Sequence, residues 1–260
     1  MIEIQEKAPI THCEFIADDI FLLALHSPRI AKTALPGQFL MIHIGFFDDP
    51  LLRRPFSIHQ VSPEGKIEIL IKIVGRGSKV LTTLKTGMDI DIIGPLGRGF
   101  FTNPQGPVCL VGGGMGIAPL SFLGKRLQRT KSPPAGHVLL GARTGTEVEL
   151  FQNQFSAMGY RVGIATDDGS LGHHGFVTEL FDDLLASVRI VYVCGPQPMM
   201  RKIALKCIEH EIECQVSMET VMACGLGACL GCTITGNDDS YLHVCKDGPV
   251  FEAEEVAWNR

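Results

Sequence analysis

No run of lysine and arginine occurs anywhere in the chain, whose formal net charge is −5. Phosphate recognition along a nucleic acid wants a basic face, so this balance argues against a nucleic-acid-binding surface. Long apolar runs are missing too. Stretches such as CLVGGGMGIAPLSFLG (109–124) are broken by Gly and Pro before reaching the roughly 20 residues of a membrane span. MIEIQEKAPI, at the start, carries acidic residues and lacks the basic start and apolar core of a secretion signal. Internal repeats and low-complexity segments are absent as well. The expectation is a soluble cytoplasmic protein with neither nucleic acid nor membrane as partner.

What is present is an ordinary globular composition, 45% hydrophobic and 20% charged, in 260 residues, enough for two domains and a small appendage. Nine cysteines would suit a disulfide framework in a secreted chain. Without a secretion signal, the same count points to metal or redox chemistry.

The first hundred residues have the texture of a β-domain. In IEILIKIV, Ile67, Ile69, Ile71 and Ile73 recur at period two with Glu68 and Lys72 on the other face, the pattern of a strand with one buried side. FLLALHS, QFLMIHIG and DIDIIGPLG are further short apolar runs bounded by Pro, Gly or Asp, at spacings that suit a barrel or sandwich. One short helix is expected after Ser78, with Ser78 as N-cap and Gly87 as terminator.

From about Gly106 strands and helices alternate. GPVCLVGGG, HVLLGAR, YRVGIATDD and RIVYVCG read as strands; IAPLSFLGKRLQRT, TEVELFQNQFSAMG and TELFDDLLAS read as helices. Such alternation predicts a parallel α/β sheet. The pattern is expected to stop near residue 212. The remaining 49 residues hold five of the nine cysteines, and so short a segment would gain from a metal staple.

Several stretches carry chemistry. Arg54, in RRPFSIH, offers a planar donor fork suited to a pyrophosphate, and Pro55 fixes the backbone beside it. Ser57 could hydrogen-bond a ring edge from the same face as Pro55. Alone, R-P-F-S reads first as an arginine on a solvated strand. Gly75 and Gly77 in GRGSK permit close backbone approach where a helix begins, and together with Arg54 they make a dinucleotide pyrophosphate the better reading. VGGGMGIAPL (111–120) is a glycine-rich strand-to-helix turn that departs from G-x-G-x-x-G, with Ile117 at the third position and no acidic residue about 20 positions on. It is a nucleotide site of another kind, or simply a tight turn. Cys194 and Gly195, in CGPQPMM, close a strand at the sheet edge where ligands bind, although a lone cysteine is commonly a small buried hydrophobe.

Cys224, Cys229 and Cys232 are spaced C-x4-C-x2-C with a distant fourth cysteine, Cys245, the plant-type ligand run for an iron-sulfur cluster. Gly225, Gly227, Ala228 and Gly231 let the backbone wrap closely and aim N–H groups at sulfur. Four-cysteine zinc sites usually come as two C-x2-4-C knuckles, so iron-sulfur is favoured over zinc. Only 12 residues separate the third and fourth cysteines, which makes this a compact module and not a full ferredoxin domain.

With R-P-F-S and G-x-G-S in a β-domain, then a glycine turn and C-G-P in an α/β domain, the chain resembles the ferredoxin reductase family. With the tail MACGLGACLGCTI and HVCKDGPVF it resembles in particular the electron-transfer subunits of class 1B, NAD-dependent dihydroorotate dehydrogenases. That resemblance implies an antiparallel FAD-binding β-barrel (1–102), a parallel-sheet NAD-binding α/β domain (103–211) and a 2Fe-2S module (212–260). It implies FAD on Arg54, Pro55, Phe56 and Ser57, along Leu70, Ile71 and Lys72, and at Gly77 and Ser78. It implies NAD at Gly112, Gly113, Gly114 and Gly116, with Cys194 and Gly195 near the nicotinamide, and a 2Fe-2S cluster on Cys224, Cys229, Cys232 and Cys245. An FMN-containing catalytic subunit, two of each chain, would supply electrons from dihydroorotate in pyrimidine biosynthesis.

Asp167 and Asp168, near a strand end, would repel a 2′-phosphate and favour NAD over NADP, unless they are solvated loop acids. His173 and His174 are expected in solvent. Two rivals remain: the small subunit of an NADP-dependent ferredoxin oxidoreductase or sulfide dehydrogenase, whose first cluster ligand is typically aspartate where this chain has Cys224, and a zinc-stapled nucleotide-binding regulator.

Overall fold

The computed structural model describes residues 3–45, 51–130 and 132–258. Six strands form a closed antiparallel barrel: β1 (Ile4–Ala17), β2 (Ile20–His26), β3 (Phe39–Ile42), β4 (Arg54–Val61), β5 (Lys66–Lys72) and β6 (Asp89–Leu96), in the order β1-β2-β5-β4-β3-β6. The period-two pattern of β5 does what it predicts: Ile67, Ile69 and Ile71 are buried inside the barrel with Leu23, Leu25, Ile42, Ile58 and Ile92. Leu70, on the outer face, packs instead into the core of the following domain.

Two short helices flank the barrel, α1 (Pro28–Thr33) and α2 (Arg76–Leu81). The second begins before Ser78 and corrects the expected cap. Gly75 is the N-cap, and Ser78 sits in the third helical position. Its Oγ accepts from the amides of Gly75 and Val74, both at 3.0 Å, so the serine satisfies helix-entry donors from inside the turn.

The second domain is built on a seven-stranded sheet. Its strands are β7 (Val108–Gly113), β8 (Gly136–Ala142), β9 (Arg161–Thr166), β10 (His173–His174), β11 (Ile190–Cys194), β12 (Glu213–Ser217) and, later in the chain, β15 (Val250–Glu252). The order is β10-β9-β8-β7-β11-β12-β15, parallel except for the β12–β15 pair. One face is covered by α3 (Ile117–Gln128) and α4 (Glu149–Ala157), which contribute Leu120, Leu123, Phe151 and Phe155. The other is covered partly by α5 (Gln197–Glu209) through Ile203, Ala204 and Cys207. The helix expected over 178–187 is only a 3-10 turn at Asp182–Leu184 within a run of turns; Val177, Phe181 and Val188 are buried from it nonetheless. Apolar residues in that segment satisfy the sheet without needing a regular helix.

The expected end of the α/β pattern at residue 212 falls inside the sheet. β12 pairs with β11 and β15 pairs with β12, so the C-terminal segment supplies both strands of that edge. A two-stranded hairpin, β13 (Thr233–Thr235) and β14 (Tyr241–His243), completes the tail. Its core is shared: Met222, Cys232, Val244, Val256 and Trp258 lie in one cluster with Val111, Val193, Ile203 and Ala204 of the α/β domain. Trp258 Nε1 donates to the Ala253 carbonyl at 2.7 Å, and Arg201 Nε on α5 donates to the Trp258 carbonyl at 2.6 Å. Among the described residues, no helix is long and apolar enough to cross a membrane.

Candidate functional site: two cofactor cavities and a cysteine loop

A cavity opens where barrel, sheet and tail meet. Pro55, Phe56 and Ser57 of β4, with Leu70 and Lys72 of β5, form its barrel wall. Met115 and Ala118, at the start of α3, form a second wall, and Ser217 to Thr220 with Met222 form the third. A mostly apolar slot with a few convergent polar groups suits a flat ring system. Of the barrel residues expected to meet FAD, Arg54, Gly77 and Ser78 lie outside this lining, and Ile71 is fully buried in the barrel core.

Arg54 and Gly77 are neighbours, as their pairing in the sequence implies: a Cβ built on Gly77 would lie 3.9 Å from Arg54 Cγ and Nε. The Arg54 guanidinium donates to the carbonyl oxygens of Leu52 (2.8 Å) and Arg53 (3.2 Å). Those bonds hold it at the start of β4, beside the glycine turn and the α2 entry.

A second cavity lies along the carboxyl edge of the parallel sheet, where nucleotides bind in such folds. Gly113 and Gly114 line it with Ala142, Arg143, Glu147, Asp167, Phe176 and Lys202. A third space, bordered by Gly113 to Gly116, Gly195, Met218, Glu219 and Thr220, adjoins both; Lys72 borders all three.

Within the glycine turn, the residues do different things. Gly114 has φ +53° with open space at its Cβ position, so its backbone faces the cavities unobstructed. A Cβ on Gly112 would come within 2.9 Å of Ile117 Cγ1, and one on Gly113 within 2.7 Å of Met199 Sδ, so both serve close packing. On Gly116 it would lie 2.1 Å from the Cys194 carbonyl oxygen. The turn therefore crosses directly over the end of β11, which is why Cys194 is buried with 1% exposure. Burial pushes the Cys194 thiol far above the usual range, with the nearby Glu219 carboxylate adding to the effect.

Asp167 borders the nucleotide cavity. Asp168 instead accepts from the Ser170 hydroxyl (2.6 Å) and amide (3.0 Å), which hold its carboxyl below the ordinary value. His173 and His174 are exposed, as expected, and His173 Nε2 pairs with Glu179 at 2.6 Å.

The four tail cysteines lie in two pairs. Cys232 and Cys245 place their sulfurs 3.3 Å apart in the buried part of the loop. Cys224 and Cys229 face each other nearer the surface, where the Cys229 side chain is exposed. Backbone amides converge on the sulfurs: Leu226 and Cys229 donate to Cys224 at 3.4 Å, Gly227 to Cys245 at 3.1 Å, Gly231 to Cys229 at 3.5 Å and Cys245 to Cys232 at 3.4 Å. Gly225 (φ +72°) and Gly227 (φ +76°) occupy the left-handed region that this wrapping needs. Burial acts against ionisation at Cys224, but these amides hold its thiol down at about 6; burial and the Cys232 thiol push Cys245 up to about 12. Among the described residues, no three or more thiols, imidazoles or carboxylates enclose a single ion position. Two pairs of amide-solvated thiols have the donor chemistry that suits a cluster with two irons.

A family model described as the iron-sulfur cluster binding domain of dihydroorotate dehydrogenase B matches residues 219–257, spanning all four cysteines. An oxidoreductase FAD-binding domain matches residues 7–101, the barrel. The NAD-dependent dihydroorotate dehydrogenase B electron transfer subunit of Desulforamulus reducens is 40% identical, covering 94% of each chain. That of Caldanaerobacter subterraneus is 41% identical over 96% of this chain and 97% of its own. The chain belongs to the family of dihydroorotate dehydrogenase B electron-transfer subunits.

Like the family, then, it carries an FAD-binding barrel and an iron-sulfur binding domain. A solved NADH-dependent reduced ferredoxin-NADP oxidoreductase is also similar, with 33% identity, TM-score 0.86 and coverage of 98% of this chain and 91% of that one. The ferredoxin reductase of carbazole 1,9a-dioxygenase, 22% identical with TM-score 0.68, covers 82% of this chain and 67% of its own and shares the fold. The sequence did not single out Met115, Glu147, Lys202 or the Ser217–Thr220 segment as cavity residues. Their only local mark is position, each following a glycine turn or a strand end, and the closing of the chain on itself brings them together.

Proposed function

We propose that this chain is the electron-transfer subunit of a dihydroorotate dehydrogenase, passing electrons from an FMN-containing catalytic subunit through a 2Fe-2S cluster and FAD to NAD. One observation carries this: Met218 to Thr220 and Met222 line the ring cavity, and the same chain turns within two residues into the first cysteine of the cluster loop. Cys224, Cys229, Cys232 and Cys245 would hold the cluster, with two thiolates for each iron. Pro55 to Ser57, Leu70 and Lys72 would hold the flavin ring, and Arg54, Gly77 and Ser78 its pyrophosphate end. Bound there, FAD would supply the chemistry that takes up electrons singly and gives two as a hydride to NAD.

The chain's own work is placement. Gly114 would present free backbone to the nucleotide phosphates, with Gly112, Gly113 and Gly116 shaping the turn beneath it. Gly195 would close the nicotinamide end, with Cys194 buried beneath the turn and out of the cavities, and Asp167 on the cavity edge would disfavour the 2′-phosphate of NADP. No side chain here acts as acid or base on dihydroorotate. The catalytic subunit would dock where Cys229 is exposed amid Val221, Leu226, Leu230 and Tyr241, apolar side chains left in solvent around the loop. Two of each chain would make a heterotetramer. Nine unpaired cysteines fit a reducing cytoplasm. In this reading the regions 1–102, 103–211 and 212–260 would carry FAD, NAD and the cluster in turn, the third also supplying two strands to the sheet of the second.

The experiment is anaerobic purification with and without the catalytic subunit. Flavin bands plus a broad cluster absorption, and dihydroorotate-dependent NAD+ reduction by the complex, are expected. A colourless protein with stoichiometric zinc, or a coloured complex that ignores dihydroorotate, would overturn the assignment.

A further inference from the structure

Lys72 and Glu147 meet at the junction of the two cofactor cavities. Lys72 ends β5 in the barrel, and Glu147 lies in the 3-10 turn Gly145–Glu147 that follows β8. Lys72 Nζ reaches Glu147 Oε2 at 3.0 Å and Asp19 Oδ2, from the β1–β2 turn, at 3.4 Å; Glu147 Oε1 also faces Arg143 Nε at 3.5 Å. The Lys72 and Glu147 side chains are only 20% and 15% exposed, so their attraction is less screened than that of a surface pair.

Both partners are anchored. Lys72 stands on a barrel strand paired along its length. On the other side, the Gly145 amide donates to Ser170 Oγ at 2.8 Å, and that hydroxyl donates to Asp168, beside the Asp167 that borders the nucleotide cavity. A Cβ on Gly145 would stand 2.7 Å from Leu171 Cβ, so the turn is seated against this loop. A carboxylate in a cavity for a dinucleotide works against its phosphates. Glu147 borders that cavity, so phosphate attraction does not account for it, whereas its hold on Lys72 does.

We propose that Glu147 is a positioning residue: through Lys72 it fixes the nucleotide edge of the α/β domain against the barrel and so sets how the nicotinamide stacks on the flavin. This rests on the cofactor assignment above. Ring placement matters because an error of about 1 Å can cost up to about 100-fold in rate.

The test uses FAD-loaded Glu147→Gln, Lys72→Met and the double variant. Three quantities are measured: the rate of flavin reduction by NADH, the long-wavelength charge-transfer absorption formed on mixing with NADH, and ADP-ribose affinity by calorimetry. Each single change should slow flavin reduction roughly tenfold and weaken the charge-transfer band, and the double should be no slower than the singles, since one bridge is lost in all three. For Glu147→Gln the ADP-ribose affinity should not fall, because the change takes a negative charge away from this cavity and that part of the nucleotide does not sense ring stacking; a weakening that parallels the rate loss would overturn the proposal. Rate losses that multiply in the double variant would overturn the proposal. Glu147 does not border the flavin cavity, so Glu147→Gln decides alone should Lys72→Met shed its FAD: a wild-type rate and band there also overturn it. If the wild-type protein binds no FAD or leaves NADH untouched, the cofactor assignment itself has failed, a result distinct from a competent wild type with indifferent variants.

Discussion

Cys224 shows how much a single thiol depends on its amides. The N–H groups of Leu226, Cys229 and Ala228 favour its thiolate despite some burial, and the same groups would stabilise sulfur bound to iron. Replacing it with Ser should leave FAD content and NADH oxidation by artificial acceptors within about twofold, while electron flow from the catalytic subunit falls by at least about tenfold. Stopped-flow reduction of the complex by dihydroorotate measures this, and unimpaired flow would remove Cys224 from the relay. At this scale the four cysteines were legible because their spacing is itself the chemistry. Glycines were less so: VGGGMG announces a tight turn, but only the fold shows that Gly116 yields to the Cys194 carbonyl while Gly114 is left for a ligand.

Among the elements, the β4–α3 contact joins barrel to nucleotide domain. His59 on β4 is buried, its Nδ1 3.0 Å from the Ala118 carbonyl and its ring edge-on to Phe151. Burial lowers its pKa from the ordinary 6.5, the Ala118 hydrogen bond and Glu68 pull the other way, and Lys125 adds to the lowering. The folded chain thus holds a neutral ring where the unfolded one takes a proton. Stability is fully present above about pH 6.5 and declines as pH falls below it, by at most about 1.4 kcal/mol per pH unit from this one group. Thermal midpoints between pH 7.5 and 5.5 should fall more steeply for the wild type than for His59→Gln; parallel slopes would assign the acid sensitivity elsewhere. Strand elements were legible because period-two burial reads directly, as in β5. TELFDDLLAS misled because its apolar spacing matches a helix face, while a run of turns already buries Phe181 with the flanking Val177 and Val188 and packs Leu180, Leu184 and Leu185 against the same core.

As a whole molecule, the chain does not come apart where its sequence changes texture. A tail with a lone metal staple would melt separately, yet Trp258, Val256, Val244 and Met222 share one core with the sheet, and β15 is one of its strands. Cluster bleaching and loss of far-ultraviolet ellipticity should therefore share a midpoint on heating, because the cluster loop and the sheet bury one core. Cluster loss well ahead of unfolding would show the tail to be a separate unit. Trp258→Ala, which empties a buried indole site and its bond to Ala253, should lower stability by about 3–5 kcal/mol and advance both signals together. This sharing was invisible beforehand, since long-range pairing such as β12 with β15 leaves no local trace. The run from Met222 to Cys224 has a kinetic consequence. Cavity wall and cluster ligand are two residues apart on one strand of chain, at most about 7 Å between α-carbons. So short a covalent tether would hold a bound ring and the cluster loop in one register while the domains breathe, so the rate of transfer between them should be nearly indifferent to solvent viscosity.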